Sequence, residues 1–357
     1  MPAILSVGIA AMPYQVKQED IKQYVKQLFA QSFSSIDRLL KVFENGEIRS
    51  RSFVRPLEWY KAEHRFAEKN DVYIESAVQY GCESIRKCLQ HPAFLPKPIA
   101  YEEIDAIFFI SSTGLATPSV EARIMNVLPF SPHTKRIPIW GLGCAGGAAG
   151  IARAFEYCLA FPEAKVLVVA AEFCSLTFQA NDRTKSNLIG TSLFSDGVAC
   201  VCIAGDKAAD AGVRPRVIAA QSALMPDSEE VMGWDIRDDG LFVVFSKDIP
   251  SLIQSWLKPQ VQSFLQKHHL SISDIDHFIA HPGGKKVIDA YEAALRIQKE
   301  KTTVSFQVLQ EFGNMSSATV YMVLERFMKT SIPAGDYGLL VALGPGFSAE
   351  MILLKWE

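Results

Sequence analysis

Gly143-Cys144-Ala-Gly-Gly-Ala148 returns 170 residues later (143 to 313) as Gly313-Asn314-Met-Ser-Ser-Ala318. Both hexamers fit Gly-(Cys/Asn)-x-small-small-Ala, and helical spacing follows each. Their surroundings match as well. Ile104-Asp105 precedes the apolar run Ala106-Ile-Phe-Phe-Ile110, and Ile275-Asp276 precedes His277-Phe-Ile-Ala280. Asp105 stands 39 residues before Cys144, and Asp276 stands 38 before Asn314. Order, spacing and residue type agree, so the chain reads as a duplicated unit. Duplicated halves usually pack about a pseudo-dyad. That would place the two helix starts, and with them Cys144 and Asn314, at one central site.

The rest of the chain fits this frame. Lys165–Ala170, Gly197–Ile203 and Tyr337–Ala342 are short runs, apolar on both faces, as in strands covered by helices on each side. Arg136–Trp140 and the apolar start of the chain also read as strands. Helical spacing predicts helices over Val72–Leu89, Gly146–Leu159, Ser251–His268, Lys285–Leu295 and Ser316–Met328. Strands alternating with helices on this scale imply an α/β fold with layered sheets. The polar, turn-rich stretch Asp206–Pro215 divides the chain into halves 1–210 and 211–357.

Composition narrows the function. Of 357 residues, 49% are hydrophobic and 21% charged, enough to bury a large core. Lys+Arg number 36 against 39 Asp+Glu, a net charge of −3, so no excess of positive charge invites a phosphate backbone and no nucleic-acid partner is expected. Seven cysteines without a CxxC suit a reducing compartment, free thiols and no metal site. Met1–Tyr14 lacks a basic start and meets Pro13 early, so it is not read as a signal peptide. The longest uncharged stretch, Ile137–Ala152, is short and glycine-rich for a membrane span. A cytoplasmic protein with no stable membrane insertion is expected.

Cys144 follows a strand-like segment and opens a helix among glycines, which let a ligand approach closely. A helix N-terminus favours an anion, so its thiol is expected to ionise readily and act as nucleophile. Gly141-Leu-Gly-Cys-Ala-Gly146 is also a literal GxGxxG, with Glu163 placed 22 residues after Gly141. A dinucleotide reading fails because Glu163 precedes the next strand instead of ending it. His281 ends a strand before Pro282-Gly-Gly284, where α/β sheets place ligands, and supplies the partner that a reactive cysteine needs. Asn314 could be only a helix cap, but its amide can also donate to a developing oxyanion. Cys, His and Asn make a triad without a carboxylate, suited to thioester and enolate chemistry.

Trp140-Gly-Leu-Gly-Cys144-Ala-Gly-Gly, His281-Pro-Gly-Gly, Gly313-Asn314-Met-Ser-Ser-Ala and Gly344-Pro-Gly-Phe347 together resemble the type III polyketide synthases, the chalcone-synthase-like enzymes. The resemblance covers essentially the whole chain and looks very close to the Bacillus members, which make alkylpyrones. It implies a thiolase-type αβαβα fold with duplicated halves, a homodimer, and acyl-CoA and malonyl-CoA as substrates with no resident cofactor. It implies that Cys144 carries the acyl chain while His281 and Asn314 stabilise the enolate of malonyl-CoA. Phe194 matches the family's gatekeeper aromatic, although Ser195 stands where the family has glycine. Cys174, Thr177 and Ser316 match positions beside the cavity. Thr117 matches a position, Met in plant members, that reaches across the dimer. Arg38 and Lys41 match contacts to CoA phosphates, a match weakened by Asn45 where plant members have lysine. Near Met232–Asp235 and Leu241–Phe245 the chain departs from the plant pattern, and a long fatty acyl starter giving triketide or tetraketide alkylpyrones is expected. The nearest rival is the single-condensation ketosynthase that initiates fatty-acid synthesis, which typically has His-Gln-Ala-Asn where this chain has His281-Pro-Gly-Gly284. A nicotinamide-dependent oxidoreductase is the distant one.

Overall fold

A computed structural model describes residues 1–29, 36–209, 212–246 and 248–357. Nine strands form one mixed sheet, which we number in chain order: β1 Ala3–Ile9, β2 Ala106–Ser111, β3 Lys135–Trp140, β4 Lys165–Phe173, β5 Asp196–Ala204, β6 Pro215–Leu224, β7 His277–Ala280, β8 Tyr337–Gly344 and β9 Ser348–Trp356. Their spatial order is β7-β8-β9-β6-β1-β5-β4-β2-β3. Outward from the middle, β1-β5-β4-β2 on one side mirrors β6-β9-β8-β7 on the other. In each half an early strand (β2 or β7) pairs in parallel with a later one (β4 or β8), which then pairs antiparallel with the next (β5 or β9). The halves are therefore duplicates in topology as well as in sequence. They meet through β1 and β6, held by the single register pair Ala3 with Arg216. The boundary expected at 210/211 lies outside the described residues.

Alternation along the strands builds the layers. In β8 and β9, Leu340, Ala342, Ile352 and Leu354 join the core of the N-terminal half, while Leu339, Val341, Met351 and Leu353 join a second core beneath the C-terminal helices. Successive strand residues face opposite sides, so this half of the sheet is covered on both. The helix Phe66–Leu89 packs on β1, β4 and β5 from outside. The helix Gly146–Ala160 touches β2 and β4 of one half and β8 and β9 of the other. It is the middle layer, and its start consists of small buried residues. At Gly147 a Cβ would come 2.2 Å from the Ser317 carbonyl oxygen, so only glycine allows this approach. The Tyr321 hydroxyl donates to the Gly147 carbonyl at 2.8 Å and fastens the paired helix Thr319–Met328.

Three helices differ from the sequence expectation. Phe66–Leu89 begins before Val72 because Glu68 accepts from the Arg65 backbone N–H at 3.2 Å and caps an earlier start. Ser251–His268 is not one helix: Ile249–Leu252 and Lys258–Gln266 flank a π-turn, Ile253–Leu257. Pro259 has no N–H to offer the preceding turn, so the regular ladder breaks there. The segment from Ser316 opens with a 3-10 turn, Ser316–Ala318, before the α-helix. β6, β9 and the hairpin Met232–Arg237/Gly240–Phe245 went unread in the sequence.

The Gly147 contact is open to test by substitution. Gly147→Ala is expected to lower stability in chemical denaturation by about 1–3 kcal/mol through overpacking, whereas Gly233→Ala, with nothing within 4 Å of its added methyl, stays near the parent.

Candidate active site

Two turns of matching sequence meet face to face. Cys144 lies in the 3-10 turn Gly143–Ala145, between β3 and the middle helix. Gly143 has φ +47°, and a Cβ there would strike the Pro345 ring at 2.7 Å. At Gly344 a Cβ would come 2.5 Å from the Leu142 carbonyl oxygen. The Gly344-Pro-Gly-Phe347 motif is thus the lid of the cysteine turn. Opposite it, Asn314 is pinned by its backbone: its N–H donates to Leu193 O at 2.9 Å, and its carbonyl accepts from Ser195 N at 2.8 Å.

The side chains complete the arrangement. The Cys144 thiol contacts Asn314 Oδ1 at 4.0 Å. That oxygen also accepts from the Ser316 N–H at 2.9 Å, while Asn314 Nδ2 donates to Gly283 O at 3.1 Å. One hydrogen of the amide therefore remains for a ligand. His281 follows β7, its N–H held by Val341 O at 2.8 Å, and its ring lies against Gly283. Neither ring nitrogen has a partner among the described residues, although His281 is only 2% exposed. Cys144 and Asn314 are thus in contact, and Gly283 links His281 to them.

Burial decides the charge state. It pushes the Cys144 thiol up to about 12, outweighing its contacts with the Ser316 hydroxyl and Asn314 Oδ1. This corrects the expectation of a readily ionised thiol, because desolvation of an anion exceeds what a helix terminus returns. Burial likewise lowers His281 to about 3, so the imidazole is neutral at pH 7. The resting pair is thiol and imidazole, with a donor and an acceptor nitrogen unspent.

Phe194 caps the helix Lys185–Leu193, and its ring packs on Phe245 at 5.6 Å and Trp234 at 5.8 Å. It lines a cavity of about 50 Å³ together with Cys174 and Thr177. Ser316 sits with its hydroxyl on the Cys144 thiol. Thr117 is exposed on the loop after β2 and does not line that cavity in its own chain. Arg38 and Lys41 are exposed on the short helices Ile36–Leu39 and Lys41–Asn45, away from the triad's hydrogen bonds. Glu163, the acid of the rejected dinucleotide reading, pairs with Lys207 at the surface.

Other residues of the site escaped the sequence reading. Glu172, fully buried, accepts from the Ser112 N–H and from the hydroxyls of Ser112, Thr113 and Ser317, and burial still raises its pKa. A lone acid in the apolar run Val168-Val-Ala-Ala-Glu-Phe173 was its signal. The Tyr291 hydroxyl is buried without a partner among the described residues, and burial raises its pKa. Arg51, buried behind Phe194, stands between two serines with nothing in the sequence to mark it.

Residues 2–207 match the family described as chalcone and stilbene synthases, N-terminal domain, and residues 216–356 match its C-terminal domain. The chain belongs to the chalcone and stilbene synthase family, the type III polyketide synthases. It is 54% identical over 362 residues to a Bacillus subtilis protein named as a chalcone synthase candidate, covering 100% of this chain and 99% of the other. It is 33% identical to the 1,3,6,8-tetrahydroxynaphthalene synthase of Streptomyces peucetius, over 99% of this chain and 93% of that one. The crystal structure of the corresponding Streptomyces coelicolor synthase superposes with a TM-score of 0.91 at 30% identity, covering 99% of both chains. The fold of this polyketide synthase is accordingly the thiolase-type α/β fold, and the enzyme is an acyltransferase. Among its described residues no helix is long and apolar enough to cross a membrane.

The charge state of the synthase can be read by alkylation. With the thiol near 12, its thiolate fraction grows tenfold per pH unit. Iodoacetamide inactivation of the unliganded enzyme is expected to accelerate from pH 7 through 10 without a plateau, with Cys144→Ala as the blank. A plateau already reached below pH 8 would show a preformed thiolate–imidazolium pair.

Proposed function

We propose that the synthase loads a long-chain fatty acyl group from its CoA thioester and extends it with malonyl-CoA to triketide and tetraketide alkylpyrones. The observation that carries the chemistry is the contact of the Cys144 thiol with Asn314, whose amide bonds the Gly283 carbonyl beside the unpartnered His281. In this reading the half 1–210 supplies the nucleophile, and the half 211–357 supplies His281 and Asn314.

Loading exchanges one thioester for another. Cys144 sulfur attacks the acyl carbonyl, the C–S bond to CoA breaks, and the thiol proton passes through His281 to the departing CoA thiolate. Malonyl-CoA then loses its carboxylate as CO2, and the electron pair stays as an enolate. The remaining Asn314 N–H and the His281 N–H donate to the enolate oxygen. A neutral imidazole is apt here, because in a dry site a fixed hydrogen-bond donor stabilises developing negative charge strongly. The enolate carbon attacks the acyl-cysteine carbonyl, Cys144 leaves as thiolate and is reprotonated through His281, and the chain has grown by two carbons. CoA thioesters are substrates here, and the scheme uses no metal or resident cofactor.

Phe194 is assigned the gate between CoA entry and cavity, with Cys174 and Thr177 along its walls and Ser316 beside the Cys144 thiol. Ile21, Tyr24, Leu57 and Phe178 make the cavity apolar, which suits an alkyl tail. Its present volume is far below the several hundred Å³ of ordinary ligand sites, so a long tail requires these side chains to move. Exposed Arg38 and Lys41 are assigned to the CoA phosphates. Thr117, exposed in the single chain, is assigned to a homodimer contact that reaches the partner's cavity. The fatty acyl starter is supported by likeness to Bacillus members and by these apolar walls.

Purified enzyme given a long-chain acyl-CoA and malonyl-CoA is expected to yield triketide and tetraketide pyrones by mass spectrometry, and Cys144→Ala none. A product one condensation long would contradict this reading in favour of a single-step ketosynthase.

A further inference from the structure

Arg51 is 1% exposed and lies on the short strand Ser50–Phe53. Its Nε donates to Gln18 Oε1 at 2.9 Å, and its Nη1 donates to the Phe194 carbonyl at 2.7 Å. Gln18 Nε2 in turn donates to the Ser192 carbonyl at 2.8 Å, so the pair ties down the last turn of the helix that carries Phe194. A cation suits this place, where helix carbonyls point outward. The stem of Arg51 presses on Gly313, where a Cβ would come 2.8 Å from Arg51 Cγ, directly before Asn314. Buried Asp196 is its counter-charge, and that carboxylate is itself held by the N–H groups of Val54 and Ser175. Burial lowers the guanidinium to about 9, which leaves it charged at neutral pH.

One nitrogen is left over. Arg51 Nη2 is buried and has no partner among the described residues, and Arg51 lines the same cavity as Phe194, Cys174 and Thr177. A guanidinium N–H without an acceptor in a mostly apolar cavity is costly, so the position calls for an oxygen. We propose that Arg51 is a specificity-determining residue whose free Nη2–H binds a ketone oxygen of the growing chain behind Phe194. This rests on the polyketide synthase reading above. The starter tail brings no oxygen to this point. Each condensation adds a carbonyl near the cysteine end, and Asn314, which the Cys144 thiol touches, pairs with Phe194 through its backbone and follows the Gly313 on which Arg51 presses. The residue thus recognises chains that have already been extended and retains them for the next round.

The test compares Arg51→Lys and Arg51→Gln with the parent enzyme, using a long-chain acyl-CoA and malonyl-CoA. Arg51→Gln leaves Asp196 without its counter-charge and risks unfolding. Arg51→Lys keeps the charge but loses the planar fork, and a thermal melt confirms that it folds. In Arg51→Lys the share of chains released after one condensation is expected to rise about tenfold or more relative to triketide and tetraketide, the loss of a hydrogen bond to a charged donor. The rate of the first condensation is expected to fall by much less. A folded Arg51→Lys with the parent's product spread, or with every step slowed equally, would overturn the proposal and leave Arg51 a purely structural tie. If the parent itself makes no polyketide, the functional reading fails instead.

Discussion

The molecule depends on one close approach, the backbone of Gly147 against the carbonyl of Ser317. Two helices of the middle layer touch there without intervening side chains. Their preceding turns, Gly143–Ala145 and Ser316–Ala318, are thereby brought together. The first turn carries Cys144, and Asn314 stands just before the second. Widening this contact by one methyl would push apart residues whose function depends on touching. The glycines of the first hexamer and the serines of the second are thus a packing requirement before they are anything chemical.

The same compactness sets the electrostatics. A site buried at the seam of the two halves is dry, and ionic forms are costly there. Cys144 and His281 answer by staying neutral. In the proposed reaction negative charge appears only transiently, on an enolate or a departing thiolate, and it then meets donors already in place. Fixed charge is kept one step back, on Arg51, which underlies Phe194 and Gly313, while burial raises its neighbour Asp196 to about 7. The groups that react and the groups that hold them are thus separated by charge as well as by position.

The duplication was legible because small residues at a close crossing cannot drift: Gly143, Gly147 and Gly313 each answer a nearby atom. Strands buried on both faces, such as Lys165–Phe173, were legible for the same reason. The edges of the account were not. Pro215–Leu224 mixes apolar and polar residues without strict alternation, and much of it is only half-buried. The hairpin under Phe194 is held by aromatic contacts distant in sequence. Cys144 was recognisable as the special cysteine, but its protonation was misjudged, because a sequence shows the helix start and not the depth at which it is buried. Arg51 was invisible, since its role comes from partners at positions 18, 194 and 196.

In the proposed mechanism the two halves contribute separable functions to one seam, a nucleophile from the first and an enolate site from the second. Release of labelled CO2 from malonyl-CoA by Cys144→Gln and by Asn314→Ala tests it most directly. Cys144→Gln is expected to form no acyl-enzyme yet still release CO2, while Asn314→Ala releases little. Loss of CO2 release in a folded Cys144→Gln, or its persistence in Asn314→Ala, would contradict it.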